Sequence, residues 1–204
     1  MQQLIEVICI GASTGGTEAL ASLLSGIGRP DLPPVVVVQH MGHSFLPNFA
    51  NTLAKQSQLK LGIISGGAPL QTGHLYVPVG DYHLGIRRLR HELVTFTHHG
   101  APLHSQRPSV DYTFKSIADT RAFAVGILLT GMGKDGAQGL LDLHSTGAIT
   151  MAQDEASAVV FGMPREAIRL GAARYVGSIR DLRRYLDSCL LASQRKVDQK
   201  KASL

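Results

Sequence analysis

The 204-residue chain has no tryptophan, and aromatic residues make up only 5% of it. That leaves no stacking platform for single-stranded nucleic acid, and no nucleic-acid partner is expected. Only two cysteines occur, Cys9 in an apolar run and Cys189 near the C-terminus, with neither metal nor redox spacing. A disulfide scaffold is thereby excluded, and two buried free thiols are expected. No apolar run approaches the ~20 residues that span a bilayer, so membrane insertion is not expected. The N-terminus, MQQLIEVICIG, carries an acid where a secretory signal needs bases. A cytoplasmic protein is the expectation. Charge is also sparse, at 17% with a net +5, and it is uneven: residues 165–204 hold ten Lys/Arg against four Asp/Glu. A solvated basic helix face with a polar tail is the simpler reading, and contact with an acidic partner is the alternative.

The chain does contain short β-branched runs alternating with helical patterns. IEVICIG (5–11), PVVVVQH (34–40), FAVGILLTG (123–131) and AITMAQ (148–153) read as strands buried on both faces. Helices are predicted after them at about 17–24, 44–55, 135–145 and 164–170. In the middle, GHLYVPVGDYHLGIRRL and HELVTFTHH suggest antiparallel hairpins inserted into or added to the sheet edge. The last helix, SIRDLRRYLDSCLLAS, has Ser178 as cap and apolar residues at Ile179, Leu182, Leu186 and Leu190. The expected fold is α/β and doubly wound: a mostly parallel sheet with an antiparallel hairpin region at the edge. One domain is expected over residues 1–192, followed by a polar tail (193–204) without fixed structure.

The loop in VICIGASTGGTEAL nearly matches three motifs. As a P-loop, Gly11 and Gly16 are correctly spaced, but Thr17 stands at the lysine position and Glu18 at the magnesium-binding hydroxyl. As a dinucleotide fingerprint, Ser13 obstructs the middle glycine position, and Gln39-His40 stands where an acid should end the second strand. As G-x-S-x-G between a strand and a helix, Gly11 to Gly15 suits a nucleophile elbow. Ser13 is therefore either a nucleophile or a simple helix cap.

A serine nucleophile needs a base, and the base needs an orienting acid. His40 ends the second buried strand and Asp135 follows the third, so both could be delivered to one sheet edge with Ser13. Taken alone, Asp135 in GKDG reads as a helix cap. His98, His99 and His104 lie close in sequence but in a turn-rich segment without zinc-site spacing, so no metal and no cofactor are expected.

At these residues the chain resembles the chemotaxis methylesterase family of the CheB type, specifically its catalytic domain. IGASTGG, VVVVQHM, RPSVDYTF, ILLTGMGKDGAQGL and QDEASAVVFGMPREAI occur in the family's order, from about Val7 to Leu190. The resemblance implies Ser13 as nucleophile, His40 as base and Asp135 as its orienting acid. It also implies oxyanion contacts from backbone N–H groups near Thr14 and Met132. The implied reaction is hydrolysis of glutamate γ-methyl esters on the signalling helices of methyl-accepting chemoreceptors, with deamidation of receptor glutamines in many members. Other modified proteins as targets, or a non-catalytic receptor-binding scaffold, are the alternatives. Family members usually carry an N-terminal receiver domain, whereas this sequence starts beside the first catalytic strand. The two readings are an excised fragment, or a stand-alone form with a separate receiver domain or protein as partner. Two positions depart from the family pattern: MGHSFLPNFA lacks its usual arginine, and Lys134 replaces an asparagine beside Asp135, where a cation is expected to perturb the carboxyl.

Overall fold

A computed structural model of the chain describes residues 4–64 and 66–202, with side chains to residue 195. Its elements run β1 (Val7–Ala12), α1 (Gly16–Leu24), β2 (Val35–Gln39), α2 (Leu46–Ser57), β3 (Lys60–Leu61) and β4 (His74–Tyr76). They continue through β5 (His83–Leu89), β6 (Glu92–His98), α3 (Val110–Asp119), β7 (Ala124–Leu128), α4 (Ala137–Ser145) and β8 (Ile149–Gln153). The chain closes with α5 (Met163–Arg169), β9 (Tyr175–Gly177) and α6 (Ile179–Ala202).

Seven strands form one sheet in the order β3-β4-β2-β1-β7-β8-β9, and every pairing in it is parallel. Strand alternation divides the apolar residues between two faces. Ile8 and Ile10 pack with Leu20, Leu23 and Leu53 on the side covered by α1, α2 and α6. Val7 and Cys9 pack with Phe114, Leu140 and Met163 on the side covered by α3, α4 and α5. Both faces being covered explains why these strands are apolar throughout. The strand order reverses at β1, whose neighbours are β2 and β7, so the crevice at the carboxyl ends of these strands is the natural place for a site.

β5 and β6 pair antiparallel in a separate two-stranded sheet. That hairpin is held to α3, where Ser116 Oγ accepts from the Ile86 N–H at 2.9 Å and Thr113 Oγ1 donates to the Leu84 carbonyl at 2.8 Å. His74–Tyr76, which the sequence suggested as part of a hairpin, is instead a parallel strand beside β2. Its Leu75 and Tyr76 are buried, and three residues are too few to display an alternation. Helix α3 has no counterpart in the sequence-based reading. Ser109 caps it, and Val110, Phe114 and Ile117 form its buried stripe.

Ser178 caps α6 as expected, with Asp181 accepting its N–H in return, and Leu182, Leu186 and Leu190 pack into the core. The helix then runs on to Ala202, across most of the segment expected to lack structure. Helix-forming Gln, Arg, Lys and Ala there, with no glycine or proline, provide no stop. No helix among the described residues is long and apolar enough to cross a membrane. Cys9 is buried and Cys189 half-buried, both as free thiols, and burial pushes the Cys9 thiol far up.

Helices α3 and α4 touch at Gly139, where an added Cβ would lie 2.7 Å from Phe114 Cβ and 2.8 Å from the Asp111 carbonyl oxygen. Glycine to alanine within a helix ordinarily stabilises by about 1 kcal/mol. The clash outweighs that gain here, so Gly139→Ala is expected to lower stability by about 1–3 kcal/mol. Urea unfolding measures it; an unchanged or raised midpoint would show that the helices do not approach so closely.

Candidate active site

Three parallel strands deliver the site. Ala12 and Gln39 are the last register pair of β1 and β2, so Ser13 and His40 follow at adjacent strand ends. The His40 N–H donates to the Ala12 carbonyl at 3.0 Å, and the Ser13 N–H turns the other way, to the Thr130 carbonyl beyond β7, also at 3.0 Å. Ser13 thus sits in the switch-point crevice. It is not a helix cap: Gly15, at φ 77°, caps α1 without any side-chain hydrogen bond. The Ser13 hydroxyl makes no hydrogen bond among the described residues and is half-buried.

Asp135 is not a cap of its own helix either, since Gly136 occupies that position in α4. Its carboxylate is buried instead against the N-terminus of α3. The Val110 N–H donates to Oδ2 at 2.8 Å, the Asp111 N–H to Oδ1 at 2.9 Å, and the Ser109 hydroxyl to Oδ1 at 2.8 Å. Ser109 Oγ meanwhile accepts from the Tyr112 N–H at 3.3 Å. The first three free N–H groups of α3 are thereby satisfied, two by the carboxylate itself, which the helix dipole also favours.

His40 Nε2 stands 2.9 Å from Asp135 Oδ2. Its N–H lies off the line of a straight hydrogen bond, so the carboxylate holds the ring by proximity. Nδ1 has no partner among the described residues and keeps contact with solvent, so it is the nitrogen left open to act as a base. Burial pushes the Asp135 carboxyl up, but the His40 ring and the Asp111 and Val110 N–H groups outweigh it. The carboxyl is held below its ordinary value. Lys134 is exposed and has no part in this; its charge acts on Glu166 instead.

The amides of Thr14 and Met132 have no acceptor among the described residues. Gly131 brings the second of them close, because a Cβ there would lie 2.8 Å from Ser13 Cβ. Two unpaired N–H groups beside a free serine hydroxyl are suited to a developing oxyanion. The Met132 and Val159 side chains are exposed, and Val159 packs over Gly15.

Sequence reasoning did not assign the groups behind Asp135. His83, buried at the start of β5, accepts the Ser109 N–H at Nδ1 (3.2 Å), and its Nε2 lies 3.0 Å from the Ala101 carbonyl. Both contacts are satisfied together only by the neutral Nε2–H tautomer. Tyr112 stacks on the ring at 4.8 Å. RPSVDYTF was the available signal for Ser109, but nothing local to it points across to Asp135. His98, His99 and His104 do not converge: His98 stacks on Tyr112, His99 meets Tyr82 edge-on, and His104 pairs with Asp111 at 2.9 Å. His104, Asp111 and Asp135 have atoms within 4.8 Å of one another, but donors already occupy the Asp135 oxygens. A recess of about 650 Å³ lies between α3, α4 and α5, with Asp111 in its lining, and includes neither Ser13 nor His40.

The sequence profile of the CheB methylesterase family matches residues 8–186. The chain belongs to that family. It is 41% identical over 193 residues to the protein-glutamate methylesterase/protein-glutamine glutaminase of Nitrosomonas europaea, covering 94% of this chain and 54% of that protein. The equally named protein of Thiobacillus denitrificans is 45% identical over 180 residues, 88% of this chain and 50% of the relative. The chain therefore spans about half the length of the curated relatives it matches. The crystal structure of the Thermotoga maritima CheB methylesterase catalytic domain superposes with a TM-score of 0.82 at 30% identity, covering 91% of this chain and all of that one. A CheB methylesterase fold accounts for the strand order.

The depressed Asp135 carboxyl sets the sign of a pH effect. Its stabilising contribution is present above the unfolded carboxyl value of about 4 and is lost as pH falls toward the folded value. Wild-type unfolding free energy is thus expected to fall more steeply between about pH 5 and 2 than that of Asp135→Asn. Parallel curves from urea titrations across that range would contradict the charge assignment.

Proposed function

We propose that the chain is a serine hydrolase that removes methyl groups from glutamate γ-methyl esters on chemoreceptor signalling helices, releasing methanol. The single observation that carries this reading is the convergence at one sheet edge of a free Ser13 hydroxyl, the His40–Asp135 pair and two unpaired backbone N–H groups. The names of the relatives supply the substrate class.

In this mechanism Ser13 Oγ attacks the ester carbonyl while His40 Nδ1 takes the hydroxyl proton. The Thr14 and Met132 N–H groups receive the negative charge that develops on the carbonyl oxygen. As the tetrahedral intermediate collapses, His40 gives its proton to the departing methoxide, leaving a glutamyl ester on Ser13. Water then attacks that ester with His40 again as base, and free glutamate leaves. Asp135 fixes the ring through Nε2 and stabilises its charged form. The same steps on a glutamine amide would expel ammonia, in keeping with the second name its relatives carry. The exposed Met132 and Val159 beside Ser13 give the site an apolar rim, suited to a side chain presented on another protein's helix.

Ser13→Ala is expected to abolish methanol release from methylated chemoreceptor membranes, a loss of at least about 10³-fold. Equal release by mutant and wild type would remove Ser13 from the reaction.

A further inference from the structure

Gln39 occupies the position where a dinucleotide-binding strand would end in an acid, and none of the steps above uses it. It is buried, at 3% exposure, between the two strand ends that carry the reacting groups. Its Nε2 donates to the Ser13 carbonyl and to the His40 carbonyl, each at 2.9 Å. The ladder between β1 and β2 ends with the His40 N–H on Ala12, and the Ser13 N–H has already turned toward Thr130. Past that point the amide of Gln39 alone spans the Ser13 and His40 backbones among the described hydrogen bonds.

The orientation of that amide is fixed by its surroundings. Turned over, it would set Oε1 against two carbonyl oxygens, so the two N–H groups must face them. Oε1 is then left buried without a donor, pressed on Gly16, where an added Cβ would lie 2.2 Å away. Gly16 is the residue that makes room for the amide, which gives the last glycine of GASTGG a role apart from phosphate binding. An aliphatic side chain would fill the same space and avoid the orphaned oxygen, but would leave both carbonyls without the bridge.

We propose that Gln39 is a positioning residue that sets the separation of Ser13 from His40 by bridging their backbone carbonyls. This rests on the reading of Ser13 and His40 as nucleophile and base. The test replaces the amide in two ways. Gln39→Met removes both donors, and Gln39→Glu keeps the side-chain shape while setting oxygen against the carbonyls. Methanol release from methylated chemoreceptor membranes gives kcat and KM, and the rate at which phenylmethanesulfonyl fluoride labels Ser13 reports the nucleophile directly. Thermal melts establish that each variant is folded at the assay temperature.

A misplacement of about 1 Å costs on the order of 10²-fold in rate, so kcat and labelling should both fall about 10- to 100-fold, with KM within about twofold of wild type. Wild-type kcat in either folded variant would overturn the inference, as would a change confined to KM. Failure of both variants to fold would overturn it too, by making the amide a requirement of the fold. Methanol release that survives Ser13→Ala would remove the reading of the site, and this inference with it. Release lost in Ser13→Ala but unaltered in the Gln39 variants would remove this inference alone.

Discussion

Asp135 keeps a negative charge where water does not reach it, and much of the surrounding architecture answers that charge. A buried carboxylate without partners would cost several kcal/mol. Charge-assisted hydrogen bonds of about 1.5–3 kcal/mol each offset this when several converge. Here they come from the first turn of α3 and from Ser109, so α3 must begin where it does, beside the end of β7. His83 holds Ser109 from behind, which makes the hairpin part of the support of the site although it shares no ladder with the main sheet. Asp135 would serve His40 poorly from a solvated loop, because water would compete for the same oxygens.

The second constraint is the room that glycine leaves at the strand ends. Gly11 and Gly136 both back onto Val110, where an added Cβ on either would approach a Val110 methyl within 2.6 Å, so β1 and the loop carrying Asp135 pack directly on the start of α3. Gly131 brings the Met132 amide beside Ser13, and Gly162 lets the segment before α5 close over that turn, 2.6 Å from the Gly131 carbonyl by the same measure. These glycines belong to three separate sequence motifs but occupy one small volume. The three motifs, far apart in the chain, are packed together.

How much of this was legible in the sequence depends on whether the controlling interaction is local. The four principal parallel strands were readable because burial on both faces leaves an unbroken apolar run. Ser13, His40 and Asp135 were readable because a strand end announces itself as the place where such a run stops. Helix α3 was not, since its pattern is only ten residues long and the turn-rich segment before it obscures the cap. Strand β4 was drawn into a hairpin because three residues carry no period. The ambiguity over Ser13 and Asp135 as caps could not be settled from sequence. Serine and aspartate at the start of a helix look alike whether the side chain turns back to its own helix or across to another, and here Asp135 turns across to α3.

Asp111 shows how the site distributes charge between two neighbouring carboxyls. Its side chain lies in the same first turn of α3, accepts the Gly139 N–H at 2.7 Å and pairs with His104. Burial lifts its carboxyl first of all, the charge on Asp135 adds to that, and the Gly139 and His104 contacts do not bring it back to its ordinary value. Asp135 moves the other way, although burial acts on it too, because the His40 ring and two backbone N–H groups favour its charged form. The environments therefore push the two groups apart. The charged form is favoured at the carboxyl that faces His40, which is where an imidazolium would form in the proposed reaction.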